Sequence, residues 1–267
     1  MLYDDLARIR ADAPLVHNIT NYVAMNSTAN ALLAVGASPV MAHALAEVEE
    51  MVGLARALVL NIGTLSPPWV EAMLRAGAAA RARGIPIVLD PVGSGATRYR
   101  TETARRLLDA VAPTIVRGNA SEIASLAPDA GAAAVGGTKG VDSTRGSEET
   151  AGMARALADR QRCVVCVSGA TDVVVGGGRL ARVRNGHPLM ARVTALGCTA
   201  SALIGAFAAV DPDPFQATVH AMAVMGIAGE MAAERAEGPG TLQLHLLDAL
   251  HRMSAADLTA RARIEGP

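Results

Sequence analysis

Aromatic residues are nearly missing from this 267-residue chain, at 2% of the total, with one Trp, three Tyr and two Phe. So few flat rings leave almost no platforms for stacking unpaired bases, which argues against a single-stranded nucleic-acid binder. Charge is also scarce, at 18% of residues with a formal net charge of -1, so neither nucleic acid nor an anionic membrane surface is an expected partner. Three cysteines cannot all pair, and their spacing is no disulfide framework. No run of about 20 uninterrupted apolar residues occurs, so no membrane span is expected. The opening Met1-Leu2-Tyr3-Asp4-Asp5-Leu6 lacks the charged-then-apolar order of a secretion signal. A cytoplasmic protein is expected. No Walker A pattern is present.

Hydrophobic residues, at 51%, supply a large core, and the length suits one α/β domain over residues 1–267. Strand-like and helix-like runs alternate. Residues 57–62 read as a strand. Residues 67–83 then read as a helix, with Ser66 as cap, Pro67 in its first turn and Gly84 at its end. Strands are expected at 85–89, 114–116 and 163–167, with helices at 101–111 and directly after Asn119 or Ser121. Residues 173–175 and 180–183 flank Gly176-Gly177-Gly178 and predict an edge hairpin rather than a phosphate loop. From Cys198 onward the chain reads as helical, with breaks near 211–214 and 238–240. The alternation predicts an α/β fold, a three-layer αβα sandwich around a mostly parallel sheet. Residues 131–146, rich in small and polar types, read as a long functional loop, and Lys139 and Asp142 on it could reach a bound nucleotide or simply be solvated.

In such sheets chemistry gathers at the carboxyl ends of the strands. Asn61-Ile62-Gly63-Thr64, Asp90-Pro91-Val92-Gly93-Ser94-Gly95, Arg117-Gly118-Asn119-Ala120-Ser121-Glu122 and Ser168-Gly169-Ala170-Thr171-Asp172 all follow strands. One edge would then hold carboxylates, a guanidinium, hydroxyls and glycines, which are the parts that phosphoryl transfer needs. The most informative stretch is Thr194–Phe207, where a short polar turn enters an apolar helix with Cys198 at its start. A helix amino terminus suits a phosphate or oxyanion, and its field favours a thiolate.

Each candidate also has a plain reading. Asp90 reads as a turn aspartate, Glu122 as a first-turn helix carboxylate, Arg117 as its ion-pair partner and Met41 as core filler. Cys198 reads as a general base, a nucleophile or a buried thiol; a nucleophile needs a histidine, none is near in sequence, and His17, His43 or His187 could approach through space. Cys163 and Cys166 lie three apart in a strand, so they point to opposite faces and are expected neither to bridge nor to chelate together.

With these motifs in order, the chain resembles the hydroxyethylthiazole kinases of the ribokinase-like superfamily nearly end to end. His17-Asn18-Ile19-Thr20-Asn21-Tyr22-Val23 and Ala37-Ser38-Pro39-Val40-Met41 are similar to that family's substrate-binding region, and Gly238-Pro239-Gly240 before a helix is similar to its carboxyl end. The resemblance implies Mg2+-dependent transfer of phosphate from ATP to the primary alcohol of 4-methyl-5-(2-hydroxyethyl)thiazole, in salvage of the thiazole half of thiamine. It implies a homotrimer with active sites between subunits. It places Met41, Asn21 and Val23 against the thiazole, Arg117 and Ser168 against ATP, and Asp90 and Glu122 in the Mg2+ and phosphate region. Ala195 to Cys198, including Gly197, would form the anion-binding turn, with Cys198 where many relatives place a base aspartate. That turn is usually Gly-x-Gly; here the first glycine is Ala195, whose Cβ is expected to limit positive φ. Kinases of hydroxymethylpyrimidine or pyridoxal, a non-catalytic nucleotide binder and a thiol hydrolase are the competing readings.

Overall fold

The computed structural model describes residues 2–127, 138–139, 142–143 and 147–266. The elements run α1 (Leu2–Asp12), β1 (Leu15–Ile19), α2 (Met25–Val35), β2 (Ser38–Val40), α3 (Val48–Leu54), β3 (Ala57–Asn61), α4 (Pro67–Arg83), β4 (Ile87–Asp90), α5 (Arg98–Val111), β5 (Ile115–Asn119) and α6 (Ala120–Leu126). There follow β6 (Thr138–Lys139), β7 (Asp142–Ser143), α7 (Ser147–Gln161), β8 (Val164–Ser168), β9 (Asp172–Gly176), β10 (Arg179–Val183), α8 (Leu196–Ala208), α9 (Pro214–Ala233), α10 (Pro239–Arg252), α11 (Ala255–Arg261) and β11 (Ile264–Glu265).

Nine strands form one sheet in the order β11-β10-β9-β8-β5-β4-β3-β1-β2. Every pairing from β8 to β2 is parallel, and β9, β10 and β11 add antiparallel strands at the other edge. The core divides into two clusters, one on each face. Ala57 and Val59 of β3 join one cluster, with α8, α9 and α10, while Leu58 and Leu60 join the other, with α4 and α5. Period-two alternation in a strand buried on both faces produces this split, and the three-layer αβα sandwich follows from it. The same alternation separates the C-x-x-C pair: Cys166 packs in the first cluster and Cys163 in the second, and both are free.

Helix α8 is apolar nearly all round and sits under the middle of the sheet, against β1, β3, β4 and α9. Gly205 permits that approach, since a Cβ there would lie 2.7 Å from Val59 Cγ2. The hairpin β9–β10 turns through Gly177 and Gly178, both at positive φ (57° and 76°), as a two-residue turn of matching twist requires. The expected breaks at 211–214 and 238–240 separate α8, α9 and α10.

Several expected boundaries shift. Helix α5 begins at Arg98 rather than residue 101, because Thr97 caps it by accepting from Arg100 N–H. Strand β5 runs on through Arg117-Gly118-Asn119 instead of stopping at 116, since those polar residues pair with Cys166 to Ser168 of β8. The carboxyl-terminal region is not wholly helical, because Ile264–Glu265 pairs with β10. Most of the loop expected at 131–146 lies outside the described residues, as do the side chains of Lys139 and Asp142.

Candidate active site

Parallel register brings the strand-end motifs together. Asn61 ends β3 directly beside Asp90 at the end of β4, and Asn119 ends β5 beside Ser168 of β8. Above these ends lies a cavity of about 570 Å³ whose wall includes Asn21, Val23, Asp90, Arg117 and Glu122, together with the whole segment from Met190 to Cys198. Eight of the ten expected site residues therefore share one space. Ser168 joins indirectly, accepting from Arg117 Nη2 at 2.6 Å. Met41 does not line the cavity. It lies just past edge strand β2, where its carbonyl accepts from His43 Nδ1 and the His43 ring stacks on Trp69.

Asp90 is completely buried. Its Oδ2 accepts from Asn61 Nδ2 and from Ser201 Oγ, each at 2.8 Å, while Oδ1 has no hydrogen-bond partner among the described residues. Burial pushes this carboxyl up, against the pull of Arg117, Ser201 and Asn61. Arg117 Nη1 stands 4.0 Å from Asp90 Oδ2. Burial works against the Arg117 charge, but Asp90 and the other acidic groups around it outweigh burial and hold it protonated. Arg117 pairs with Asp90, not with Glu122 as its plain reading has it.

Glu122 performs the local task its position suggests. It completes a capping box at the start of α6: Oε2 accepts from Asn119 N–H at 2.8 Å while Asn119 Oδ1 accepts from Glu122 N–H at 2.9 Å. Oε1 accepts from Gly93 N–H at 2.7 Å, tying the Asp90–Gly95 loop to α6. Burial, with Asp90 nearby, raises this carboxyl to about 7 despite both backbone donors.

The α8 entry differs from expectation at two points. Ala195 does adopt the left-handed conformation, with φ 66° and ψ -1°, so its Cβ strains the turn without preventing it. Gly197 then passes over Arg117, where a Cβ would lie 2.8 Å from Nη1. Cys198, third in the helix, is not a thiolate. Burial and then Asp90 raise it to about 11, outweighing the Asn21 hydrogen bond and the guanidinium. None of the histidines weighed as partners supports a nucleophile: His17 Nε2 donates to Ala42 O, His43 stacks on Trp69, and His187 Nδ1 accepts from Leu189 N–H.

Three contributors were not singled out from the sequence. Asn61 was visible only as part of a strand-end run. Ser201, three residues beyond Cys198 on α8, carried a spacing signal, since residues three apart share a helix face. Arg192 is exposed on the cavity wall, and nothing in its local sequence separated it from an ordinary surface arginine.

A family model described as the hydroxyethylthiazole kinase family matches residues 6–256. A hydroxyethylthiazole kinase from Syntrophus aciditrophicus is 61% identical over 96% of this chain and 93% of its own length. One from Nitratidesulfovibrio vulgaris is 54% identical over 100% of this chain and 98% of its own. The solved structure of a hydroxyethylthiazole kinase from Pyrococcus horikoshii superposes with a TM-score of 0.90 at 43% identity, covering 100% of this chain and 98% of that one. A pyridoxal kinase from Staphylococcus aureus, solved with pyridoxal, shares the fold at a TM-score of 0.64 and 15% identity, over 95% of this chain and 98% of that one.

Proposed function

The chain belongs to the hydroxyethylthiazole kinase family, and from that premise we propose that it transfers the terminal phosphoryl group of ATP to the primary alcohol of 4-methyl-5-(2-hydroxyethyl)thiazole. The observation that carries this reading is the meeting, in one cavity, of a buried carboxylate with an uncommitted oxygen and a helix amino terminus bearing Cys198. The product would feed the thiazole half of thiamine, and the protein would work in the cytoplasm.

Phosphoryl transfer passes through a loose transition state, so catalysis rests on placement and on cancelling charge at the equatorial oxygens. The amino-terminal amides of α8, from Leu196 to Cys198, would take the developing negative charge. Arg117, held by Asp90 and Ser168 beneath Gly197, adds positive potential from below; Arg192 adds it from the rim. The alcohol loses its proton late in such a reaction, so a protonated thiol at Cys198 suffices to line and orient the hydroxyl. Its role is to orient the hydroxyl rather than to attack as a covalent nucleophile.

The residues present fit a hard divalent cation at Asp90, whose buried Oδ1 has no donor among the described residues. Asp90 would hold Mg2+ there, and the bound ion would supply positive charge toward the phosphates and lower the cost of burying Asp90 as a carboxylate. Glu122 would act beside it chiefly through the Gly93 loop, because both its oxygens already accept backbone N–H groups. Met41, which does not line this cavity, would contact a thiazole from a neighbouring subunit of a homotrimer. Asn21 and Val23 would meet the thiazole within the chain.

The test is a coupled ATP-consumption assay with Mg2+ over a panel of thiazole, pyrimidine and pyridoxal alcohols. The thiazole alcohol should have the highest kcat/KM. No turnover on any of them refutes the kinase reading, and a preference for pyridoxal or the pyrimidine reassigns the substrate.

A further inference from the structure

Five side chains, from β3, β4, α8 and the segment that follows β1, form one directed hydrogen-bond chain beneath the cavity. Asn21 Nδ2 donates to Cys198 Sγ at 3.3 Å and to Asn61 Oδ1 at 2.7 Å. Asn61 Nδ2 donates to Asp90 Oδ2 at 2.8 Å, and Ser201 Oγ donates to the same oxygen at 2.8 Å. Asn21, Asn61, Asp90 and Ser201 are each no more than 4% exposed.

Main-chain donors set the direction. Asn21 Oδ1 accepts from Ala24 N–H at 2.9 Å, and Asn61 Oδ1 accepts from Gly63 N–H at 3.0 Å. Flipping either amide would oppose donor to donor, so the nitrogens must face Cys198, Asn61 and Asp90. Gly63 also closes on the Asn21 amide, since a Cβ there would lie 2.5 Å from Asn21 Nδ2. Asn61 itself does not line the cavity, while the three residues it bonds, Asn21, Gly63 and Asp90, all do. Apart from it, β3 is Ala-Leu-Val-Leu, so a carboxamide at its end is an expense that an apolar residue would avoid.

We propose that Asn61 is a positioning residue for phosphoryl transfer. Through Asn21 it holds the site against Cys198 Sγ, and through its own amide it keeps Asp90 Oδ2 occupied so that Oδ1 remains the uncommitted oxygen. It ties the hydroxyl side of the site to the carboxylate side, and neither end is held by substrate. The proposal rests on the kinase reading for its kinetics but not for its geometry.

The test uses the full-length protein with Asn61→Asp and Asn61→Ala. The aspartate is isosteric and keeps both accepted hydrogen bonds, but sets a second carboxyl against Asp90 in place of the N–H donor. Both variants should lower kcat ten- to a hundredfold while KM for the thiazole alcohol moves less than threefold. Asn21→Ala combined with Asn61→Ala should be no slower than the worse single variant, because the two act as one unit. A merely structural Asn61 would change kcat and KM together and add to Asn21→Ala. A substrate-free readout is side-chain amide hydrogen exchange by NMR. The Asn21 amide should exchange slowly in the unaltered protein and at least tenfold faster in Asn61→Ala, or in Asn61→Ser if the alanine variant does not fold. Unchanged kcat in both variants, or an unprotected Asn21 amide in the unaltered protein, overturns the proposal. Absence of turnover on every alcohol, with Asn21 protected and then released by the variant, refutes the kinase reading and leaves the positioning role standing.

Discussion

Replacing Ala195 by glycine should stabilise the protein, although alanine is ordinarily the better residue inside a helix. Ala195 sits at φ 66° and ψ -1°, where its Cβ crowds the neighbouring carbonyl. Left-handed backbone costs an L-residue about 1–2 kcal/mol. Glycine removes that cost but adds freedom to the unfolded chain, which offsets about 0.4–1 kcal/mol. A net gain of about 0.5–1 kcal/mol remains, or roughly 1–4 °C in Tm at this chain length. The turn's hydrogen bond from Thr199 N–H to Ala195 O, at 2.9 Å, should survive, because glycine keeps the carbonyl. Calorimetry or denaturant unfolding of Ala195→Gly measures the effect directly. Gly197→Ala is the opposing control: its Cβ would lie 2.8 Å from Arg117 Nη1, so the guanidinium bonded to Ser168 must shift, and overpacking of this kind costs about 1–3 kcal/mol. A fall in Tm for Ala195→Gly would show that the αL assignment, or the reasoning from it, is wrong.

Cys198→Ala should reduce kcat without abolishing it, and mass spectrometry of the unaltered protein during turnover should find no phosphorylated or alkylated thiol intermediate; loss of all activity together with an adduct would restore the nucleophile. Arg192→Ala should raise KM for ATP more than KM for the alcohol, because Arg192 is exposed on the cavity wall whereas Arg117 is already committed to Asp90 and Ser168; an unchanged KM for ATP would remove it from the nucleotide site. Burial raises the Asp172 carboxyl to about 7, against its hydrogen bond from Gly169 N–H and against Arg117. The folded state then binds more protons than the unfolded one between the ordinary aspartate range and about pH 7, so this group's contribution is greatest in acid and declines as pH rises through that window. The stability difference between the unaltered protein and Asp172→Asn should therefore shrink and then reverse as pH rises, by up to about 1.4 kcal/mol per pH unit, and a difference independent of pH would contradict it.

Much of the architecture was legible because it rests on local rules. The apolar run at β3, the Pro67 start and Gly84 end of α4, and the paired glycines of the β9–β10 hairpin each signal their element within a few residues. Strands β1 and β2 carried no comparable signal. Leu15–Ile19 includes His17 and Asn18, which are buried only because α3, α4, α8 and the neighbouring strands cover the strand. Strand β5 outran its expected end for a similar reason: polar Arg117-Gly118-Asn119 stays extended because β8 pairs with it.

The candidate site divides the same way. Sequence placed Asp90, Arg117, Glu122 and Cys198 at strand ends or a helix start, and parallel topology was enough to predict that they share an edge. Which carboxylate keeps a free oxygen could not be read from the residues, since Asp90 and Glu122 look alike in sequence. Backbone donors from Gly93 and Asn119 occupy Glu122, whereas Asn61 and Ser201 engage only one oxygen of Asp90.

By itself, the sequence determined the layered α/β fold, the family and the identity of most groups around the cavity, because periodicity, capping residues and ordered motifs are properties of neighbours along the chain. Only the tertiary structure decided their chemical states. The charge of Cys198, the partner of Arg117 and the roles of Asn61 and Ser201 depend on how much water is removed and on which distant groups arrive in its place. Desolvation and long-range hydrogen bonding exist only once the sheet has assembled and α8 has packed beneath it.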